Sequence, residues 1–89
     1  MPVKELRAKF KGHDIRVVNT WFSGVKLYID SDLKDTNQEL FMVTGNRPLL
    51  SSSLTVDDTR HTVEVFLKAL LTTKIKICID GEMVAGEPF

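Results

Sequence analysis

The sequence predicts an all-β domain, an antiparallel β-sandwich or flattened barrel of seven to eight strands built from two pseudo-repeats. Three observations lead there. Lys26-Leu27-Tyr28-Ile29-Asp30 returns as Lys76-Ile77-Cys78-Ile79-Asp80-Gly81. Apolar and polar residues alternate with period two through most of the chain, as half-buried strands require. Turn-forming residues interrupt the alternation about every ten residues, the spacing of a small all-β fold.

Taken in order, Leu6, Ala8 and Phe10 point one way while Arg7 and Lys9 point the other. Lys11-Gly12 suits a two-residue hairpin turn. That turn sets Phe10 opposite His13, Lys9 opposite Asp14, Ala8 opposite Ile15 and Leu6 opposite Val17. The apolar residues then share one face, and Lys9–Asp14 becomes an opposite-charge pair on the other. The same register sets Arg7 against Arg16, a like-charge pair that solvent must relieve. Strand 26–30 follows, with an acidic turn at Asp30. A three-residue turn over 30–32 places Leu33 opposite Ile29 on the core face.

Glu39 to Thr44 reads as a further strand, and Gly45-Asn46-Arg47-Pro48 as the turn joining the halves. The second half repeats the first. A four-residue loop at 57–60 pairs Val56 with His61, Leu54 with Val63 and Ser52 with Val65. His13 and His61 then hold equivalent places. From Val17 to Leu27 is ten steps and from Val65 to Ile77 twelve, so the added residues fall in connections. A turn over 80–82, with Gly81 suited to positive φ, sets Met83 opposite Ile79.

Residues 59–71 carry a rival pattern. Val63, Phe66, Leu67, Leu70 and Leu71 make a helical stripe that Asp58 or Thr59 could cap, which would make the fold α+β. Val63, Val65, Leu67, Ala69 and Leu71 also alternate correctly for a strand. The β-branched Thr62, Val63 and Val65, with the correspondence to 13–19, favour the strand.

The 89 residues bound one domain over 1–89, with pseudo-repeats at about 4–37 and 50–87. Twelve basic and twelve acidic residues give zero net charge, and signs alternate locally. No basic stripe marks a nucleic-acid binder, so DNA or RNA partners are disfavoured. Charges among the first five residues and the lack of a long apolar run give no membrane partner and a cytoplasmic expectation. The single Cys78 excludes an internal disulfide and a multi-cysteine zinc site, and its strand setting reads as a packed thiol.

Catalytic constellations are missing. Two histidines without a third ligand do not make a zinc site. Ser51-Ser52-Ser53 lacks the glycine-flanked nucleophile elbow. Asp30, Asp32 and Asp35 lack the glycine and distal glutamate of a calcium loop. No metal, cofactor or catalytic residue is expected. The residues left over are large and apolar. Trp21-Phe22 stand side by side at a strand end, and Phe66 and Leu70 lie on the outward face of 61–71. These four are the candidate interaction surface.

Gly12-His13-Asp14-Ile15, then Ser23-Gly24-Val25-Lys26-Leu27-Tyr28-Ile29-Asp30, resembles the repeated β unit of the Fas apoptotic inhibitory molecule family. His61-Thr62-Val63-Glu64-Val65 and Ile79-Asp80-Gly81 repeat parts of it. Ser31 departs from the glycine of that turn pattern. The resemblance covers about half of the chain. It implies an antiparallel sandwich acting through protein contacts, without cofactor or catalytic residues. The expected function is therefore a non-enzymatic protein-interaction module, binding an unknown protein or self-associating as a homodimer. The alternative is a small-molecule or lipid carrier with a pocket between the sheets.

Overall fold

A computed structural model describes residues 3–20, 24–37, 43–44, 47–69 and 73–89, and every regular element among them is a strand. β1 (Val3–Phe10), β2 (His13–Thr20), β3 (Gly24–Ile29) and β4 (Asp32–Asn37) form one antiparallel sheet in that order. β5 (Val43–Thr44), β6 (Leu50–Val56), β7 (Thr59–Ala69), β8 (Thr73–Ile79) and β9 (Glu82–Gly86) form the other. β6 pairs with the first part of β7 and β5 with its last residues, opposite β8, so this sheet is also four strands wide. β1 lies beside β8 and β9, and β4 beside β6. The two sheets face each other as a β-sandwich, and no ladder among the described residues closes it into a barrel.

The core follows from alternation. Ile15, Val17, Val25, Leu27 and Ile29 from the first sheet meet Leu50, Val63, Val65, Leu67, Ile75, Ile77 and Ile79 from the second. Most are β-branched, which suits the pleated surface. Among the described residues no polar or charged side chain is buried.

The helical alternative over 59–71 is overturned as far as Ala69, because β7 is extended throughout. Val63, Val65 and Leu67 are buried while Phe66 points to the outer face, so the helical stripe divides between two sides of a strand. Cross-strand pairing on both edges of β7 outweighs the helix propensity of its residues. Of the strand expected over 39–44, Val43–Thr44 is observed, and residues 39–42 with Gly45-Asn46 lie outside the described residues.

The first hairpin has the expected register, from Phe10↔His13 to Leu6↔Val17. Lys11 (φ 48°) and Gly12 (φ 85°) form its tight turn. The second hairpin differs from expectation. Asp57 (φ 49°) and Asp58 (φ 63°) make a two-residue turn, so Thr59 and Arg60 belong to the strand. Leu54 pairs with His61, Ser52 with Val63 and Leu50 with Val65. The shift is by two residues, which leaves every side chain on its expected face.

A second correction concerns the acidic turns. Asp30-Ser31 and Asp80-Gly81 are also two-residue turns, with positive φ at all four residues. Ile29 therefore pairs with Asp32 and Ile79 with Glu82, while Leu33 faces Tyr28 and Met83 faces Cys78. Leu33 and Met83 land on the outer surface, 54% and 46% exposed, instead of in the core. A β-bulge follows in each sheet, and Asp35 opposite Leu27 and Ala85 opposite Ile77 regain the inner side.

The open corners are managed by side chains and by close backbone contact. Asp35 Oδ2 accepts from the Ser51 amide at 2.9 Å, and Asn37 Nδ2 donates to the Leu49 carbonyl at 3.2 Å. They tie β4 to the start of β6 and to the residue before it, where unpaired edge groups invite aggregation. At the far end of β9, Gly86 (φ 106°) runs so close to β8 that a Cβ would stand 2.2 Å from the Ile75 carbonyl oxygen.

Candidate functional site

Each sheet brings one histidine and one aspartate together. Asp30 begins the β3–β4 turn, and its amide donates to the Asp14 carbonyl at 2.8 Å. Its carboxylate folds back: Oδ1 accepts from the Asp14 amide at 2.9 Å, and Oδ2 meets His13 Nδ1 at 2.6 Å. Asp80 does the same in the second sheet. Its amide donates to the Thr62 carbonyl at 2.9 Å, Oδ1 accepts from the Thr62 amide at 2.9 Å, and Oδ2 meets His61 Nδ1 at 2.6 Å.

The hydrogen bond from histidine and then that from the backbone amide hold both carboxyls below the usual aspartate value. An ionised carboxylate only accepts, so Nδ1 carries the hydrogen in both pairs. Nε2 is then the ring atom left for other chemistry. The same carboxylate–imidazole pairing orients metal ligands and general bases. Here it lacks a third member: among the described residues no group of three histidine, cysteine or acidic side chains could hold a metal.

The histidines belong to one end of the sandwich. Phe10 is the cross-strand neighbour of His13, and its ring packs edge-on against His61, centroids 4.9 Å apart. The His61 side chain is mostly buried and that of His13 about one-third exposed. What this arrangement does is fasten each acidic turn to the start of a neighbouring strand and close the end of the core around Phe10. The His–Asp bonds are not anticipated by the sequence, which leaves open whether the two histidines come together. The signal was present, since both histidines and both aspartates already held matching places. The link between them runs through the β2–β3 and β7–β8 pairings, which the first-hairpin register alone does not supply.

The expected interaction residues fare differently. Trp21, Phe22 and Leu70 lie outside the described residues. Phe66 is half-buried on the outer face of β7, with Lys76 Nζ 5.1 Å from its ring centroid. Lys76 also lies 4.5 Å from the Phe89 ring centroid and donates to the Phe89 main-chain oxygen at 3.2 Å. Residues 87–89 thus reach back over the outer face of the second sheet. Cys78 points to the same face yet is only 7% exposed, and burial pushes its thiol pKa up. It is a packed thiol.

The outer face of the first sheet carries the opposite character. Arg7, Arg16, Tyr28 and Leu33 form a row across all four strands. Solvent is not alone in relieving the Arg7–Arg16 pair. Glu5 takes Arg7 Nε at 2.7 Å and Arg16 Nη1 at 3.5 Å, and the Arg7 bond chiefly lowers the Glu5 pKa. The Arg16 guanidinium also stacks 4.5 Å from the Tyr28 ring centroid. Lys9 and Asp14 form the expected pair, at 3.8 Å. An open depression of about 510 Å³ is lined by these groups, Arg7, Lys9, Asp14 and Arg16, with Ala8, Ile15 and Ser31.

Compared with family models, curated proteins and solved structures, the chain matches none. No helix among the described residues is long and apolar enough to cross a membrane.

Proposed function

We propose that this protein is a non-enzymatic interaction module, a rigid sandwich that presents its outer sheet faces to another protein or to a second copy of itself. The observation that carries the reading is where the fold leaves large apolar side chains. Leu33 and Met83, with Val84 at 39% exposure, stand outside the core at corresponding places beside the two bulges. Natural edge strands more often carry charge there, so exposed apolar groups at both corners favour contact with a partner. Phe66 adds a half-buried aromatic to the outer face of the second sheet, and Trp21, Phe22 and Leu70 remain part of the proposed surface.

The matching order of the two sheets, their shared bulges and their paired His–Asp links support reading the chain as two copies of one β unit. The likeness to the Fas apoptotic inhibitory molecule unit is part of this proposal and rests on the sequence motifs alone. A cytoplasmic setting belongs to this proposal, with Cys78 free. Substituting Leu33→Ser together with Met83→Ser is expected to abolish self-association or partner capture, and Trp21→Ala and Phe66→Ser to weaken it. Strand content should persist in each variant. Sedimentation and pull-down that are unchanged in all of them would remove the proposal.

A further inference from the structure

We infer that the partner is a second copy of this chain, whose Asp57-Asp58 hairpin tip seats on the Arg7–Arg16 face. This inference rests on the interaction-module reading and names its partner.

The first observation is the tip itself. Relative to the His–Asp links, the second hairpin is two residue pairs longer than the first, since Phe10 pairs with His13 but Leu54, not Val56, pairs with His61. At about 3.4 Å per residue the tip stands roughly 7 Å beyond the level of the first hairpin. Asp57 and Asp58 are exposed, and neither enters an ion pair or hydrogen bond with a described residue. Both hold positive φ. A turn of this type favours Asn-Gly or Asp-Gly, and the chain uses glycine second at Lys11-Gly12 and Asp80-Gly81. Two adjacent aspartates keep a double negative charge at some conformational cost, at a tip two residue pairs longer than that of the first hairpin.

The second observation is a receiver of matching sign. The depression of about 510 Å³ is lined by Arg7, Lys9 and Arg16 against the single carboxylate of Asp14. Arg7 and Lys9 side chains are 71% and 77% exposed. Glu5 engages Arg7 only through Nε, leaving the terminal amino groups of that guanidinium for another carboxylate. Arg7 and Arg16 stand directly opposite each other, an unfavourable pairing that a second anion would ease. Zero net charge on the chain thus conceals an acidic tip and a cationic seat that are mutually complementary. Such contacts between exposed charges are weak singly and strongly screened by salt.

The test is sedimentation equilibrium of the full chain at about 0.02 M and about 0.5 M salt, where screening differs severalfold. Association at low salt that falls to monomer at high salt is expected. Asp57→Asn with Asp58→Gly keeps, and improves, the turn while removing its charge. That double variant should associate at least about tenfold more weakly with an unchanged or higher thermal midpoint. Arg7→Glu should do the same, and mixing it with Asp57→Lys plus Asp58→Lys should restore a mixed complex. A wild-type chain that stays monomeric at low salt overturns the inference, as does intact association in the Asp57→Asn, Asp58→Gly variant. Should Leu33→Ser with Met83→Ser abolish association while the tip variant does not, the module reading stands and this seat falls.

Discussion

Asp30 and Asp80 show how a single exposed side chain can organise a turn. Each sits at positive φ, at 51° and 53°, where aspartate is tolerated because its carboxylate bonds locally. Here that carboxylate also reaches a histidine and an amide of the adjacent strand, so backbone strain and cross-strand fastening are one arrangement. Both carboxyl pKa values are lowered on folding. A depressed carboxylate pKa contributes stability above its unfolded value that is lost as pH falls through the folded one. From these two groups, urea midpoints should therefore be level above the ordinary aspartate value of 3.8 and fall below it. Asp30→Asn with Asp80→Asn should lower the midpoint at neutral pH and flatten the acid limb; an unaltered limb would deny the two links their role. Ser31 makes the complementary point. It holds φ 70° where the other sheet places Gly81 at 86°. Ser31→Gly should relieve that conformation and raise stability by about 0.5 kcal/mol, read from chemical denaturation.

The elements show which parts of the fold were legible in the sequence. The β1–β2 register was readable because Lys11-Gly12 names its turn and every apolar residue then shares a face. The strand at β7 was readable because its β-branched residues and its likeness to β2 outweighed a helical stripe. The turn lengths were not. With a side-chain period of two, shifting the second hairpin by two residues preserves every inward and outward assignment, so hydrophobic pattern cannot detect the shift. The acidic turns failed for another reason. Requiring Leu33 and Met83 to be buried forced a three-residue turn, whereas a tight turn followed by a bulge leaves both outside. Of the candidate site, each histidine and aspartate was visible singly, but their bond depends on a pairing of β2 with β3 that composition does not encode. The bulged edge strand β9 also depends on one residue. A Cβ at position 86 would meet the Ile75 carbonyl oxygen at 2.2 Å and Lys76 Cα at 2.6 Å, both backbone atoms. Gly86→Ala must push β9 from β8 or distort φ, and should cost about 2 kcal/mol or more in denaturant unfolding. Amide exchange should quicken first in 82–87.

At the scale of the whole molecule, the two sheets cannot be independent despite their matching construction. Each is a four-stranded meander with one apolar face, and among the described residues each face is covered by the other. The first sheet supplies Ile15, Val17, Val25, Leu27 and Ile29 to a core completed by seven side chains from the second. Sheet contacts at the corners add Asp35 and Asn37 bonding the backbone of β6 and the residue before it. A chain of this size buries only about 60–65% of its unfolded surface, so half of it would fall far short of a stable core. Unfolding should therefore be a single transition, with the two sheets lost together. Leu27→Ala and Ile77→Ala remove equivalent, fully buried side chains from opposite sheets. Each should cost about 2–5 kcal/mol, and each should shift the whole transition as followed by circular dichroism and by amide resonances in both sheets. Separate fragments covering 1–44 and 47–89 should remain unfolded alone. If instead Leu27→Ala lowered the midpoint of 3–37 while 50–86 kept its own, the halves would be autonomous, and the common core would not be what holds this sandwich together.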